Sequence, residues 1–183
     1  MKVYIETERL IIRNFEDIDV DGIFQLDSDP EVHTYLGKNP IKSIDQAKEI
    51  IEGVKKQYQA NGMGRLAIVD KQSNDFIGWS GIKYEQGVRE FSYYDLGYRL
   101  RKEYWGKGIA TEASNQSLKY GFDELKLHTI GAAADLDNIA SNRILQKVGF
   151  TLIDKFDFEG VAHNYYEITK ADWIKANHIT NKA

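Results

Sequence analysis

The most constraining stretch of the chain is Leu100 to Ala113, Leu-Arg-Lys-Glu-Tyr-Trp-Gly-Lys-Gly-Ile-Ala-Thr-Glu-Ala. A β-rich run ending at Leu100 leads into Gly106-Lys107-Gly108. Ala110, Ala113, Ser117 and Tyr120 then recur at helical spacing. A strand, a tight turn and a helix N-terminus must therefore follow one another directly. Glycine allows the sharp turn and puts no side chain between the backbone amides and a ligand. The unpaired N–H groups of a first helical turn, reinforced by the helix dipole, favour an anion. Arg99, Arg101, Lys102 and Lys107 flank the turn against Glu103, although the chain as a whole has a formal net charge of −4. A pyrophosphate suits such a turn. The dinucleotide fingerprint needs a third glycine where Thr111 stands, and a P-loop needs Ser or Thr where Gly108 follows Lys107. A loop-to-helix turn using its glycines for geometry alone remains the bland alternative.

The rest of the pattern predicts an α/β chain. Arg9 to Arg13 reads as a strand, and Asp17 or Asp19 as the cap of a helix carrying Val20, Ile23 and Phe24. Ser43 and Gln46 form a capping box for a helix with Ala47, Ile50, Ile51, Val54 and Tyr58 on one face, closed by Asn61-Gly62. Strands follow over 64–70, 76–84 and 90–100, then the helix after Gly108, a strand over 127–134 and a helix over 138–148. A hairpin over 150–158 and 161–168, turning at Glu159-Gly160, and a short helix at 172–176 complete the order. Hairpins mixed with crossovers imply a mixed, mostly antiparallel sheet of about six to seven strands with helices on both faces. We expect one domain over 1–183, its core about 5–170, and a polar C-terminal tail.

Composition removes several classes. With no cysteine, disulfides, thiolate metal sites and cysteine nucleophiles are excluded. No run is long and apolar enough for a membrane span, and Glu6, Glu8, Arg9 and Arg13 interrupt any signal-like segment. The expectation is a cytoplasmic protein binding neither membrane nor nucleic acid. His33, His128, His163 and His178 are too separated for a metal-binding pair, so no metal is expected. His128 reads as a packed residue of its strand.

Tyr104-Trp-Gly-Lys-Gly-Ile-Ala-Thr-Glu-Ala113 resembles the coenzyme-A loop of the Rim-type ribosomal-protein-alanine N-acetyltransferases of the GNAT superfamily. Asn138-Ile-Ala-Ser141, with the helix ending at Gly149-Phe150, resembles their second signature. Thr7 to Arg13 and Asp29-Pro30-Glu31-Val32 resemble their N-terminal strand and first loop. The likeness covers roughly residues 5 to 170. Glu103 stands where the loop pattern has Gln or Arg, and Leu145 where many relatives carry an acid tyrosine.

The resemblance implies a GNAT fold, acetyl-CoA as cosubstrate and direct attack by a primary amine on its acetyl group. Backbone groups of Leu96, Tyr98, Arg99 and Leu100 would pair with the pantetheine arm. Amides of Gly106, Lys107, Gly108, Ile109, Ala110 and Thr111 would hold the pyrophosphate. Asn138 would bond the pantetheine, besides being a good helix N-cap, and Ser141 would lie near the thioester sulfur as the acid, unless water serves. Asp95 and Glu159 are the candidate bases, and Gly97 would bulge its strand to open a groove. Asp27, Asp29, Glu31 and Asp95 suit a cationic acceptor, whether a protein N-terminal α-amine or a small-molecule amine such as a polyamine. A non-catalytic acetyl-CoA sensor and a nucleotide-binding protein remain alternatives. Homodimers are common among similar proteins.

Overall fold

The computed structural model describes residues 2–180, with side chains as far as residue 176. The end of the expected polar tail, 181–183, lies outside the described residues. The elements run β1 (Val3–Glu6), β2 (Leu10–Arg13), α1 (Val20–Asp27), α2 (Ile44–Asn61), β3 (Arg65–Asp70), β4 (Phe76–Glu85) and β5 (Tyr93–Leu100). They continue with α3 (Ile109–Asp123), β6 (Thr129–Asp135), α4 (Ile139–Lys147), β7 (Thr151–Phe158), β8 (Val161–Thr169) and α5 (Lys170–Thr180). The C-terminal helix is longer than the sequence pattern suggests.

One eight-stranded sheet, ordered β1-β2-β3-β4-β5-β6-β8-β7, replaces the six to seven strands expected. The additional strand is β1, which pairs antiparallel with β2 through Val3–Arg13 and Ile5–Ile12. It is an edge strand, only partly buried, and leaves no strong alternating signal. Every pairing is antiparallel except β5 with β6, whose parallel contact is registered at Asp95 and Gly131. The bulge expected at Gly97 is absent. The β4–β5 register runs unbroken from Gly78–Leu100 to Glu85–Tyr93. Gly97 serves packing instead, because a Cβ there would lie 2.5 Å from Arg65 Nη2.

Strand alternation sends odd-numbered residues of β5 to one face and even-numbered ones to the other. On the first face α1 and α2 cover Ala67 and Phe76 with Ile23, Leu26, Ala47, Ile51 and Val54. On the second, α3 and α4 place Leu118, Phe122 and Leu145 against Leu96, Ile130 and Tyr166. Helix α3 approaches closely at Gly121, where a Cβ would fall 2.4 Å from Ile82 Cδ1.

The ends of α2 follow the sequence signal. Ser43 Oγ accepts from Gln46 N at 3.4 Å, Gln46 Oε1 accepts from Ser43 N at 3.2 Å, and Gly62 closes the helix at φ 69°. Asp19 holds the cap position of α1 but makes no side-chain cap bond onto that helix; its Oδ2 accepts from Glu16 N at 2.9 Å. Residues Asp17–Asp19 make a 3-10 turn ahead of α1, and buried Asp19 faces Arg13 instead. Its carboxylate accepts from Arg13 Nη1 at 2.7 Å and Nη2 at 2.8 Å, tying β2 to the start of α1. Removing one member of a buried pair strands the other charge, at a cost of about 3–5 kcal/mol. Arg13→Met is therefore expected to lower unfolding free energy by about that amount, read as a reduced urea midpoint with unchanged slope.

Candidate active site

Beyond Asp95 and Gly131 the parallel strands diverge, and a cleft of about 820 Å³ opens between them. Its wall includes Leu96, Tyr98 and Leu100 of β5, Ala133 to Asp135 of β6, Asn138 and Ser141 of α4, and Gly106. Arg101 N donates to Ile77 O at 3.0 Å. The antiparallel alternation then turns the peptide groups of Leu96, Tyr98 and Leu100 away from β4, towards the gap. The Leu100 carbonyl already accepts the Trp105 indole N–H at 2.9 Å, which fastens the glycine turn to the strand.

The glycine turn is shaped for an anion. Gly106 and Gly108 adopt φ 72° and 76°, in the left-handed region, and a Cβ on Gly106 would meet open space. Among the described residues no backbone carbonyl takes the amides of Gly106 through Thr111, whereas Glu112 N bonds Gly108 O at 3.0 Å. Glu112 in turn accepts from Thr7 Oγ1 at 2.7 Å and Arg9 Nε at 2.9 Å, and Arg9 Nη1 donates to Lys107 O at 3.1 Å. The basic flank is mostly engaged elsewhere. Arg99 pairs with Asp27, Arg101 with Glu103 and Lys102 with Glu31. Lys107, over the Tyr104 ring at 5.3 Å, has no carboxylate partner among the described residues. The orphan amides and Lys107 fit a pyrophosphate without a metal ligand set.

Helix α4 presents the second signature. Asn138 Oδ1 caps the helix by accepting from Ser141 N at 3.0 Å, so its amide donors remain for the cleft. Ser141 Oγ lies 3.0 Å from Tyr98 OH, which also donates to Ser141 O at 3.1 Å. Burial pushes the Tyr98 phenol up to about 12, outweighing the opposing Ser141 hydrogen bond, so it stays protonated at neutral pH. The sequence marked only the backbone of Tyr98. It also missed Asn142, whose Nδ2 donates to Asp135 O at 2.9 Å and Asn138 O at 2.8 Å. Asn142 Oδ1 accepts from Asn164 Nδ2 at 2.7 Å and Tyr166 OH at 2.8 Å. This buried amide pins the start of α4 to β6 and β8.

On the α1–α2 face the expected acidic patch is neutralised. Asp95 is ion-paired with Arg65, whose Nη1 also donates to Asp95 O at 2.6 Å and Gly81 O at 2.5 Å. Burial raises the Asp95 carboxyl above its ordinary value, while Arg65 pulls it back. Asp27 is held by Arg99, and His33 Nε2 lies 3.5 Å from the same carboxylate. Burial first, then Arg99, lower the His33 pKa. Both guanidiniums lie over Trp79, Arg65 at 5.3 Å and Arg99 at 5.2 Å from the ring centre. The Arg99 side chain thus serves this face, and its peptide groups, registered with Trp79, point to β4 and not to the gap, so they are not placed for the pantetheine pairing expected of them. Glu159 sits exposed at the β7–β8 turn with φ 52° and is not in the cleft wall. His128 is exposed in a bend before β6, not packed in it. Among the described residues no cluster of three His, Asp or Glu could hold a metal.

The profile of the acetyltransferase (GNAT) domain matches residues 9–151. The chain belongs to the GNAT acetyltransferase family. It is 35% identical over 161 residues to the uncharacterized N-acetyltransferase YoaA of Bacillus subtilis, covering 88% of this chain and 86% of that one. The spermidine N-acetyltransferase of Vibrio cholerae, solved with CoA and spermine, superposes with a TM-score of 0.74 at 22% identity, covering 92% of this chain and 99% of that one. The ribosomal-protein-S5-alanine acetyltransferase of Vibrio fischeri does so at 0.74 and 23%, covering 94% and 99%. The protein is an N-acetyltransferase with the GNAT fold.

In this acetyltransferase, Asn142→Ala removes four hydrogen bonds and leaves buried partners unpaired. Stability is expected to fall by about 2–4 kcal/mol, and KM for the coenzyme to rise as α4 loses its anchor. Chemical denaturation and initial-rate kinetics on the one variant test both.

Proposed function

We propose that the chain transfers the acetyl group of acetyl-CoA to a primary amine by direct attack, within one catalytic domain in the cytoplasm. The carrying observation is the divergence of β5 from β6, which sets the orphan amides of the glycine turn and the Tyr98–Ser141 hydroxyl pair along a single cleft. Gly106 to Thr111 hold the pyrophosphate through their amides. The peptide groups of Leu96, Tyr98 and Leu100 and the Asn138 amide align the pantetheine arm. The Tyr98 N–H, facing the gap, polarises the thioester carbonyl. Ser141, backed by the Tyr98 hydroxyl, protonates the departing sulfur, which supplies the acid absent at Leu145.

For the acceptor, the arginine-paired Asp27 and Asp95 favour a singly charged amine, either a protein N-terminus or a small molecule, over a polyamine. A polycation needs carboxylates not already committed to internal cations. No described helix is long and apolar enough to cross a membrane.

Purified protein mixed with acetyl-CoA and a panel of N-terminal peptides, small amines and polyamines is expected to release free thiol in an amine-dependent manner. Binding of CoA without release by any amine would favour the sensor alternative, and no CoA binding would sink the reading. Tyr98→Phe is expected to lower kcat by about 10²-fold with little change in CoA affinity. Gly108→Val forces a β-branched residue into a φ of 76° and is expected to weaken CoA binding about tenfold in calorimetry.

A further inference from the structure

Strand register divides the cleft between two faces of the sheet. Tyr98 and Ser141 belong to the α3–α4 face. Asp95 and Gly131 share the opposite face, and the β6–β8 register adds Asp135 and His163 to it. An acceptor amine lying on the α1–α2 side, the face of Asp27 and Asp95, must shed a proton there as it attacks. The titratable groups of that side of the cleft wall are nearly all engaged. Asp27 is held by Arg99, Glu31 by Lys102, Lys83 by Glu85 and Asp95 by Arg65. Protonating Asp95 would leave the Arg65 guanidinium without its counter-charge in a buried site.

His163 differs. It lines the cleft and forms a cross-strand pair with Asp135, a spacing that brings side chains within about 5 Å. Its Nδ1 lies 2.8 Å from Val161 O. A carbonyl only accepts, so the neutral ring carries its hydrogen on Nδ1 and leaves a lone pair on Nε2. Phe156 stacks on the ring at 5.4 Å and 28°, and Phe158 meets it edge-on at 6.4 Å. The ring is therefore clamped from β7 and fixed in tautomer from its own strand, with Asp135 registered opposite it on β6. Asp135 itself accepts from Asp137 N at 2.8 Å through Oδ1, which orients it.

We propose that His163 is the general base, accepting through Nε2 the proton shed by the acceptor amine, its ring held by the Val161 carbonyl and Phe156. This rests on the acetyltransferase reading above. The ammonium form of the acceptor first gives its extra proton to solvent; as the neutral amine nitrogen then bonds to the acetyl carbon, one N–H proton passes to His163, directly or through one water. As the C–S bond breaks, its electron pair goes to sulfur, which takes a proton from Ser141. The products are an amide and a free thiol, and His163 and the Ser141–Tyr98 pair then recover their protonation through solvent.

The test compares wild type with His163→Ala and the shape-conserving His163→Gln. Both are expected to lose about 10²-fold in kcat, with CoA affinity unchanged in calorimetry and the folded state retained by circular dichroism. Added imidazole is expected to restore turnover of His163→Ala in a concentration-dependent manner, which a structural role would not produce. Nitrogen-detected NMR of the neutral wild-type ring is expected to show the Nδ1–H form. Turnover retained by His163→Gln, failure of imidazole rescue in a folded Ala variant, or an Nε2–H ring would each overturn the assignment while leaving the acetyltransferase reading intact. A wild-type protein that binds CoA yet acetylates no amine would overturn both.

Discussion

The rest of the site depends on one parallel pairing in an otherwise antiparallel sheet. The antiparallel neighbours stay in register along their length, both in hairpins such as β4–β5 and in pairs joined through helices such as β2–β3. β5 and β6, joined through α3 and its preceding turn, are registered only at Asp95 and Gly131. The strands then separate, and peptide groups of β5 face a gap in place of a neighbour. Unpaired peptide groups lining a cavity are costly unless a ligand or water takes them. The fold thus carries a strand-shaped recognition edge inside its own sheet, with a helix N-terminus at one end.

Keeping such a split open requires that each wall be held from behind. On the α4 side Asn142 joins the helix start to two strands through three hydrogen bonds and bonds the cap residue Asn138 with a fourth. On the α1–α2 side Arg65 crosses from β3 over the unoccupied Cβ position of Gly97 to Asp95. Arg99 reaches Asp27 at the end of α1, and both guanidiniums lie over Trp79. At the closed end of the split, Arg89 of the β4–β5 loop binds Asp154 of β7 through two bonds of 2.8 Å. These contacts explain why so many charged residues surround the cleft while so few remain free inside it.

What could be read from the sequence was local. The capping box of α2, the glycine turn before α3 and the Asn138 cap of α4 each involve residues within four positions of one another, so the chain writes them in order. The misreadings involve distant partners. The sequence around Gly97 suggests a bulge because nothing nearby reveals Arg65, and Asp27 and Asp95 read as free acids because their arginines lie 72 and 30 residues away. Asn142 looked like an ordinary helix residue, since its role exists only once β6, β8 and α4 meet. Strand β1 was lost because an edge strand buries too little to impose a clear alternation.

The same register that opens the cleft also separates its chemistry. A direct acyl transfer needs proton removal at the attacking nitrogen and proton delivery at the departing sulfur, on opposite sides of one carbonyl. Two groups on one side would compete for the same proton. Because side chains alternate across a sheet, a split between strands exposes both faces to a single bound thioester. The Tyr98–Ser141 hydroxyls, with the phenol pushed up to about 12, lie on the face of α4 and can donate. Asp135 and His163 lie on the other, where a nitrogen lone pair can accept. On the proposed assignment, the period-two geometry of a β-strand is sufficient to keep acid and base apart by the thickness of the sheet, with no residue needing to change role during a turnover.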